Sequence, residues 1–279
     1  MEVWTITKLH KWTSRYLNSR LEAEILIAYS LKLKRIELYI NHERVVNEKE
    51  LADFKKLIQR RKQGEPIAYI TGTQPFMSLE FFVDRSVLIP RPETERLVEV
   101  VIDHHGSQLT IADIGTGSGA IAISLAKYLP EIKVIGIDTS PDAIKISQKN
   151  AEHHKVSGRC EFRIGNLLEP LKEKVDLIAS NPPYIPTQDI ETLETDVKDW
   201  EPIQALDGGV DGLDYIRKLV NQAPDYLNSN GRLLIEIGFD QGGKVKSLVE
   251  NNGKYKTIEI IRDLSGKDRI LKAILQNDH

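Results

Sequence analysis

From residue 109 onward the sequence alternates short aliphatic, β-branched runs with stretches of helical spacing, and this rhythm constrains the fold more than any other feature. Strands are expected at 109–114, 133–137, 160–164, 175–180, 232–237, 257–262 and 269–275. Helices are expected at 120–128 and 141–154, the second capped by Ser140 and opened by Pro141. Strands separated by helices pair in parallel through crossovers, so this is an α/β chain built on an open sheet. The last two runs are joined through Leu264-Ser265-Gly266-Lys267, a link too short for a crossover helix, and must pair antiparallel as a hairpin.

Open α/β sheets bind ligands beyond the carboxyl ends of their strands, which makes the residues just after each strand the candidates. The first strand runs into Asp113-Ile114-Gly115-Thr116-Gly117-Ser118-Gly119 and then directly into a helix. Glycines at 115, 117 and 119 let the backbone turn sharply and approach a ligand closely. The spacing is G-x-G-x-G, which departs from the G-x-G-x-x-G of dinucleotide sites. Asp138 ends the second strand about 20 residues later, where a carboxylate can accept hydrogen bonds from two ribose hydroxyls. After the third strand, Asn166 is expected to read an adenine edge and Leu167 to cover its face.

The fourth strand ends in Asn181-Pro182-Pro183-Tyr184. Two successive prolines remove two backbone donors and fix φ, which aims the carbonyls rigidly beside the Asn181 amide. A doubly wound sheet closed by an antiparallel hairpin resembles the class I methyltransferase (Rossmann-like) fold, and that resemblance implies S-adenosylmethionine as cofactor and S-adenosylhomocysteine as product. Opposite a sulfonium methyl, an amide or aromatic amino nitrogen is a poor nucleophile, so positioning must supply most of the catalysis. The expected arrangement has the Asn181 side-chain oxygen and the Pro182 carbonyl each accepting one N–H of a flat NH₂ group, with Tyr184 flanking it.

Residues 1–75 form an N-terminal helical domain suited to substrate recognition, 76–92 a β-rich connector punctuated by Pro90 and Pro92, and 93–279 the catalytic domain. The first part carries about +5 and the remainder about −8 of the net −3. A basic part can meet nucleic acid or an acidic protein surface, but the chain is acidic where DNA would have to lie. The first twenty residues hold no unbroken apolar run, so neither a secretory signal nor a membrane span is expected and the setting should be cytoplasmic. The single cysteine, Cys160, reads as a buried structural thiol. His104-His105 and His153-His154 are adjacent rather than spaced four apart, which offers no metal site.

Together with the glycine turn and Asn181 to Tyr184, the segments Glu65-Pro66-Ile67-Ala68-Tyr69-Ile70-Thr71-Gly72 and Leu88-Ile89-Pro90-Arg91-Pro92-Glu93-Thr94-Glu95 resemble the PrmC/HemK family over essentially the whole chain. The resemblance implies methylation of the glutamine side-chain nitrogen (N5) in the Gly-Gly-Gln motif of peptide chain release factors. It implies that Gly115 to Gly119 and Asp138 hold the cofactor, that Asn181 and the prolines hold the glutamine amide, and that Tyr184 lines the pocket. The Arg91 to Glu95 segment, Arg91 and Glu93 included, would lie against the same crevice and help enclose cofactor and glutamine. Some relatives carry an acidic residue followed by an aromatic where this chain has Asn166-Leu167. Two rival functions remain at this point: a DNA adenine-N6 methyltransferase, which also presents such a tetrapeptide to a flat NH₂ group, and a non-catalytic cofactor-binding scaffold.

Overall fold

The computed structural model describes residues 3–103 and 109–276, so the His104-His105 pair lies outside the described residues. The chain divides into two compact units, Met1–Gly72 with Thr195–Trp200, and Thr73–Glu194 with Glu201–His279.

The first unit contains α1 (Ile6–Leu17), α2 (Arg20–Leu31), α3 (Arg35–Ile40), α4 (Glu48–Lys62) and α5 (Ile67–Thr71). Thr5, Ser19 and Asn47 cap α1, α2 and α4, each accepting a backbone N–H in the first turn. Each such cap is worth about 1 kcal/mol. Leu9, Leu26, Ile27 and Phe54 make the fully buried centre of its core. Glu24 is buried as well, and its carboxylate receives Arg20 at 3.0 Å, Arg35 at 2.6 Å and the Tyr39 hydroxyl. Burial works to raise the Glu24 pKa, but these hydrogen bonds outweigh it and hold the carboxyl at about 2.

The second unit opens with a hairpin of β1 (Thr73–Phe76) and β2 (Leu79–Phe82), turned by Met77 and Ser78 at positive φ. The hairpin begins three residues before residue 76, where the sequence reading starts the connector. Helix α6 (Pro92–Asp103) follows, and then the alternating series: β3 (Thr110–Ile114), α7 (Ala120–Tyr128), β4 (Lys133–Asp138), α8 (Pro141–His153), β5 (Cys160–Ile164) and β6 (Val175–Ser180). A short α9 (Thr195–Lys198) belongs to the segment of the first unit, after which come α10 (Asp214–Tyr226), β7 (Leu227–Glu236), α11 (Gly242–Asn252), β8 (Tyr255–Arg262) and β9 (Asp268–Leu275).

Seven strands form one sheet in the order β5-β4-β3-β6-β7-β9-β8. The first five are parallel, and β9 runs antiparallel to both β7 and β8. The expected terminal hairpin is present, with its second strand inserted between β7 and β8. Strand alternation feeds two cores. Ile111 joins the cluster of α6 and α7, while Ala112 and Ile114 join that of α10 and α11. Strand β7 begins five residues before the expected run because Leu227, amid turn-forming Asn228, Asn230 and Gly231, already pairs with Val175. With helices on both faces, the carboxyl ends of β3, β4, β5 and β6 share one edge, which β3 and β6 leave by way of the glycine turn and the proline tetrapeptide.

Candidate active site

At that edge, within the second unit, lies a cavity of about 750 Å³. It falls in the range that small ligands occupy. Its lining includes Gly115, Gly117, Asp138, Asn166, Leu167, Asn181, Pro182 and Pro183. The structure therefore gathers, from four separate strand ends, eight residues that the sequence reading singled out.

Gly115, Gly117 and Gly119 all have left-handed φ, at 73°, 54° and 80°. Their roles differ. A Cβ on Gly115 would have no protein atom nearer than 3.8 Å, so it would project into open space beside the cavity. A Cβ on Gly119 would come within 2.7 Å of Ile123 Cδ1 and 3.1 Å of Ser147 Cβ, so this glycine serves helix packing and does not line the cavity. Asp113, Thr116 and Ser118 are also buried outside the cavity lining. Asp113 Oδ2 accepts the Thr116 hydroxyl at 2.6 Å and the Ala122 N–H at 3.2 Å, tying the turn to the start of α7. Complete burial, with Oδ1 unpartnered, pushes its pKa up to about 7.

Asp138 Oδ2 accepts the Gly117 N–H and Oδ1 the Ser140 N–H, each at 2.9 Å. One carboxylate thus fixes both the glycine turn and the start of α8. Each oxygen keeps a further lone pair, so the pair of hydroxyls on a ribose can still be accepted. Asn166 Nδ2 donates to Glu169 Oε1 at 3.1 Å, while Leu167, at φ 48°, joins Ile137 in an apolar wall. An acceptor carboxylate, an open backbone turn and an apolar wall with an amide beside it fit a nucleoside such as that of S-adenosylmethionine.

The proline tetrapeptide is held at several points. Ser180 Oγ donates to the Ile114 carbonyl at 2.7 Å, and Gln241 Nε2 donates to the Tyr184 carbonyl at 2.9 Å. Asn181 Nδ2 donates to Thr94 Oγ1 at 3.0 Å, and the Tyr184 hydroxyl meets Glu236 Oε1 at 3.4 Å. Tyr184 packs against the α10 and α11 core and does not line the cavity. Burial raises its pKa well above the usual phenol value, so it stays protonated.

Arg91 and Glu93 are not in the cavity lining either. Arg91 pairs with Glu201, a buried carboxylate whose Oε2 also accepts the Ile89 N–H at 3.1 Å, and Glu93 is exposed. The same stretch reaches the cavity through Ser86, Val87 and Leu88 instead. Sequence reasoning missed these three, together with Gln204 and Tyr215, for want of any pattern linking them to a strand end. It placed Thr94 against the crevice only as part of the Arg91 to Glu95 segment, and it gave no role to Glu236. The signal for Glu236 was legible: a carboxylate closes the otherwise aliphatic run Leu233-Leu234-Ile235.

Among the described residues no group of three or more His, Cys, Asp or Glu is placed to hold a metal, and no helix is long and apolar enough to cross a membrane. His154 Nε2 instead contacts the Glu80 carbonyl at 2.7 Å. Cys160 is buried, and that burial pushes its thiol up to about 12, as suits a structural residue.

Known proteins share this organisation. Residues 9–72 match the model of the PrmC N-terminal domain, and residues 105–275 match a methyltransferase domain. The release factor glutamine methyltransferase of Geobacter sulfurreducens is 44% identical, over 97% of this chain and 96% of its own length. The enzyme of the same name from Bacillus subtilis is 36% identical, over 98% and 99%. Among solved structures, a methyltransferase from Pyrococcus furiosus aligns with a TM-score of 0.55 at 16% identity, covering 81% of this chain and all of its own (100%). A ribosomal protein L11 methylase from Lactobacillus delbrueckii aligns at 0.52 and 20% identity, covering 74% and 90%. These two likenesses bear on the fold alone.

Proposed function

The chain belongs to the release factor glutamine methyltransferase family, and on that premise we propose how its residues carry out the transfer. It is an enzyme that moves a methyl group from S-adenosylmethionine to the glutamine side-chain nitrogen of peptide chain release factors, and the target is the glutamine of the Gly-Gly-Gln motif. S-adenosylmethionine supplies an electrophilic sulfonium methyl and leaves as S-adenosylhomocysteine. Gly115, Gly117 and Asp138 hold it, with Leu167 and Asn166 at the adenine.

The observation that carries this reading is that Asn181, its amide nitrogen engaged by Thr94, lines the same cavity as the glycine turn and Asp138. Its Oδ1 accepts one N–H of the target amide and the Pro182 carbonyl accepts the other. An amide nitrogen has a delocalised lone pair, so two acceptors that orient it and stabilise its developing positive charge do most of the work. The nitrogen gains the methyl carbon and gives up one proton. Tyr184 and Gln241 keep the tetrapeptide in place, and Arg91 with Glu201 braces the segment that forms the adjoining wall.

The N-terminal unit is assigned to recognition of the release factor. Its α1 presents Trp12 and Tyr16, 41% and 44% exposed and stacked with centroids 4.9 Å apart, beside Lys11 and Arg15. Aromatic and cationic side chains in one patch suit the surface of a protein partner. The proposed setting is the cytoplasm, in keeping with one buried thiol and no disulfide.

The test is transfer of labelled methyl from S-adenosylmethionine to purified release factor, with a factor whose motif glutamine is replaced as control. Label on the normal factor alone establishes the acceptor. Label on duplex DNA adenine instead would restore the nucleic-acid reading, and cofactor binding without turnover would restore the scaffold.

A further inference from the structure

Helix α1 carries charge of one sign only. Between Ile6 and Leu17 stand Lys8, Lys11 and Arg15, with no Asp or Glu among them. Ile6, Leu9 and Thr13 are buried, at the spacing of a single helical face. Lys8, Lys11, Trp12, Arg15 and Tyr16 recur at three- and four-residue steps on the other side, and all five are exposed. With Trp4 they line an open groove of about 510 Å³. A tryptophan and a tyrosine held this far out of the core forgo much of the burial that such large side chains otherwise contribute.

The groove is arranged in advance of any partner. Trp12 and Tyr16 stack with their planes 12° apart, and Trp4 stands at 88° to Trp12 with ring centroids 6.3 Å apart. Rings that support one another have little side-chain freedom left to lose on docking. Lys8 Nζ donates to the Val3 carbonyl at 3.0 Å, whereas Lys11 and Arg15 form no ion pair with any described residue. Other cations of the same unit do find carboxylates: Arg35 meets Glu24 at 2.6 Å, Arg60 meets Glu65 at 2.6 Å and Arg61 meets Glu22 at 3.0 Å. Two unpaired cations beside an aromatic wall are complementary to carboxylates next to an apolar side chain. A nucleic acid fits less well, because Trp12 and Tyr16 are stacked on each other and leave no gap for a base between them.

We propose that the α1 groove docks an acidic segment of the release factor, its carboxylates opposite Lys11 and Arg15 and an apolar side chain against the rings of Trp4 and Trp12. The proposal rests on the reading of the N-terminal unit given above, to which it adds the place and the chemistry of the contact. Exposed cations act over roughly 8–10 Å at moderate salt, so they speed encounter and select an acidic segment. The rings supply the area that holds it. Capture of this kind acts on affinity for the release factor and on its dependence on salt.

The experiment measures binding of the full chain to a release factor whose motif glutamine is replaced, so that no turnover intervenes. Two labelled probes accompany it, a random copolymer of glutamate and tyrosine and a single-stranded oligouridine. Lys11→Gln combined with Arg15→Gln should weaken binding of release factor and copolymer roughly 3- to 30-fold, and Lys11→Glu with Arg15→Glu should weaken it further. Lys11→Arg with Arg15→Lys keeps the charge and should stay within about twofold of wild type. Raising salt from about 50 to about 300 mM should weaken wild type roughly tenfold and the glutamine pair only about two- to threefold. Unchanged urea midpoints and S-adenosylhomocysteine affinity check that each variant is folded. Release-factor binding indifferent to the glutamate pair, or as steeply salt-dependent in the glutamine pair as in wild type, would overturn the proposal. So would oligouridine binding that depends on Lys11 and Arg15 more strongly than release-factor binding does. Binding of the copolymer with neither binding nor methylation of the release factor would instead count against the functional reading, since the copolymer reports on the groove alone.

Discussion

Replacing Gly115 and Gly119 separately by alanine distinguishes a glycine kept for the ligand from one kept for the fold. Both sit in the left-handed region, so alanine costs about 1–2 kcal/mol at either position from backbone conformation alone. At Gly119 the new methyl would also lie 2.7 Å from Ile123 Cδ1 and 3.1 Å from Ser147 Cβ. The isoleucine tip can move and the serine Cβ cannot, which adds about 1–3 kcal/mol of overpacking. At Gly115 the nearest protein atom is 3.8 Å away, an ordinary contact, and no packing penalty arises. The cost appears when ligand binds, because the methyl then occupies space beside the cavity. About 1–3 kcal/mol of crowding corresponds to a loss of roughly 5- to 150-fold in affinity. Urea unfolding without ligand and titration calorimetry with S-adenosylhomocysteine measure the two quantities. Gly115→Ala should be the more stable and the weaker-binding variant. If Gly115→Ala binds S-adenosylhomocysteine as wild type does, the ligand does not rest on this turn and the assignment of the cavity is wrong.

Three further outcomes are expected. Asn181→Ala should leave S-adenosylhomocysteine affinity within a few fold while lowering methyl transfer on the order of 10²-fold or more, and a loss of only a few fold in single-turnover assays would move the orienting role elsewhere. Trp12→Ala should raise KM for the release factor by roughly tenfold with kcat and cofactor affinity unchanged, and an unaltered KM would remove α1 from the contact with the substrate. Asp113 and Glu236 both have pKa values raised to about 7 in the folded protein, so their contribution to stability is complete at acidic pH and is lost as pH rises through about 7. Urea midpoints should therefore decline between pH 5.5 and 8.5 less steeply in Asp113→Asn than in wild type. Glu24 does not blur this window, because its lowered pKa costs stability only as pH falls from about 4.5 toward 2. Equal slopes for the two proteins would refute the assignment to Asp113.

What the sequence makes legible here is what depends on neighbours along the chain. Helix α8 begins where Ser140 and Pro141 say it should, β5 and β6 span the residues expected of them, and the short link 263–267 imposes the hairpin of β8 and β9. The insertion of β9 between β7 and β8 is not a local property. It arises because β7 offers a partner edge across the sheet, and nothing within the hairpin names that edge. Helix α10 is obscured for a different reason, since Pro224 lies within its last turn and disturbs the expected pattern.

The candidate site divides along the same line. Gly115, Gly117, Asp138 and Asn181 follow strand ends directly, and the topology of an open sheet suffices to bring them together. Arg91 and Glu93 stand in a segment whose composition is distinctive, yet Arg91 turns to Glu201, 110 residues away in sequence. The most conspicuous charge of that segment thus holds the wall, and the inconspicuous Thr94 reaches Asn181. A threonine among charged residues carries no sequence signal of its own. Its meaning depends on the Asn181 amide from which its hydroxyl oxygen accepts, so it becomes readable only when the fold has brought α6 to the end of β6.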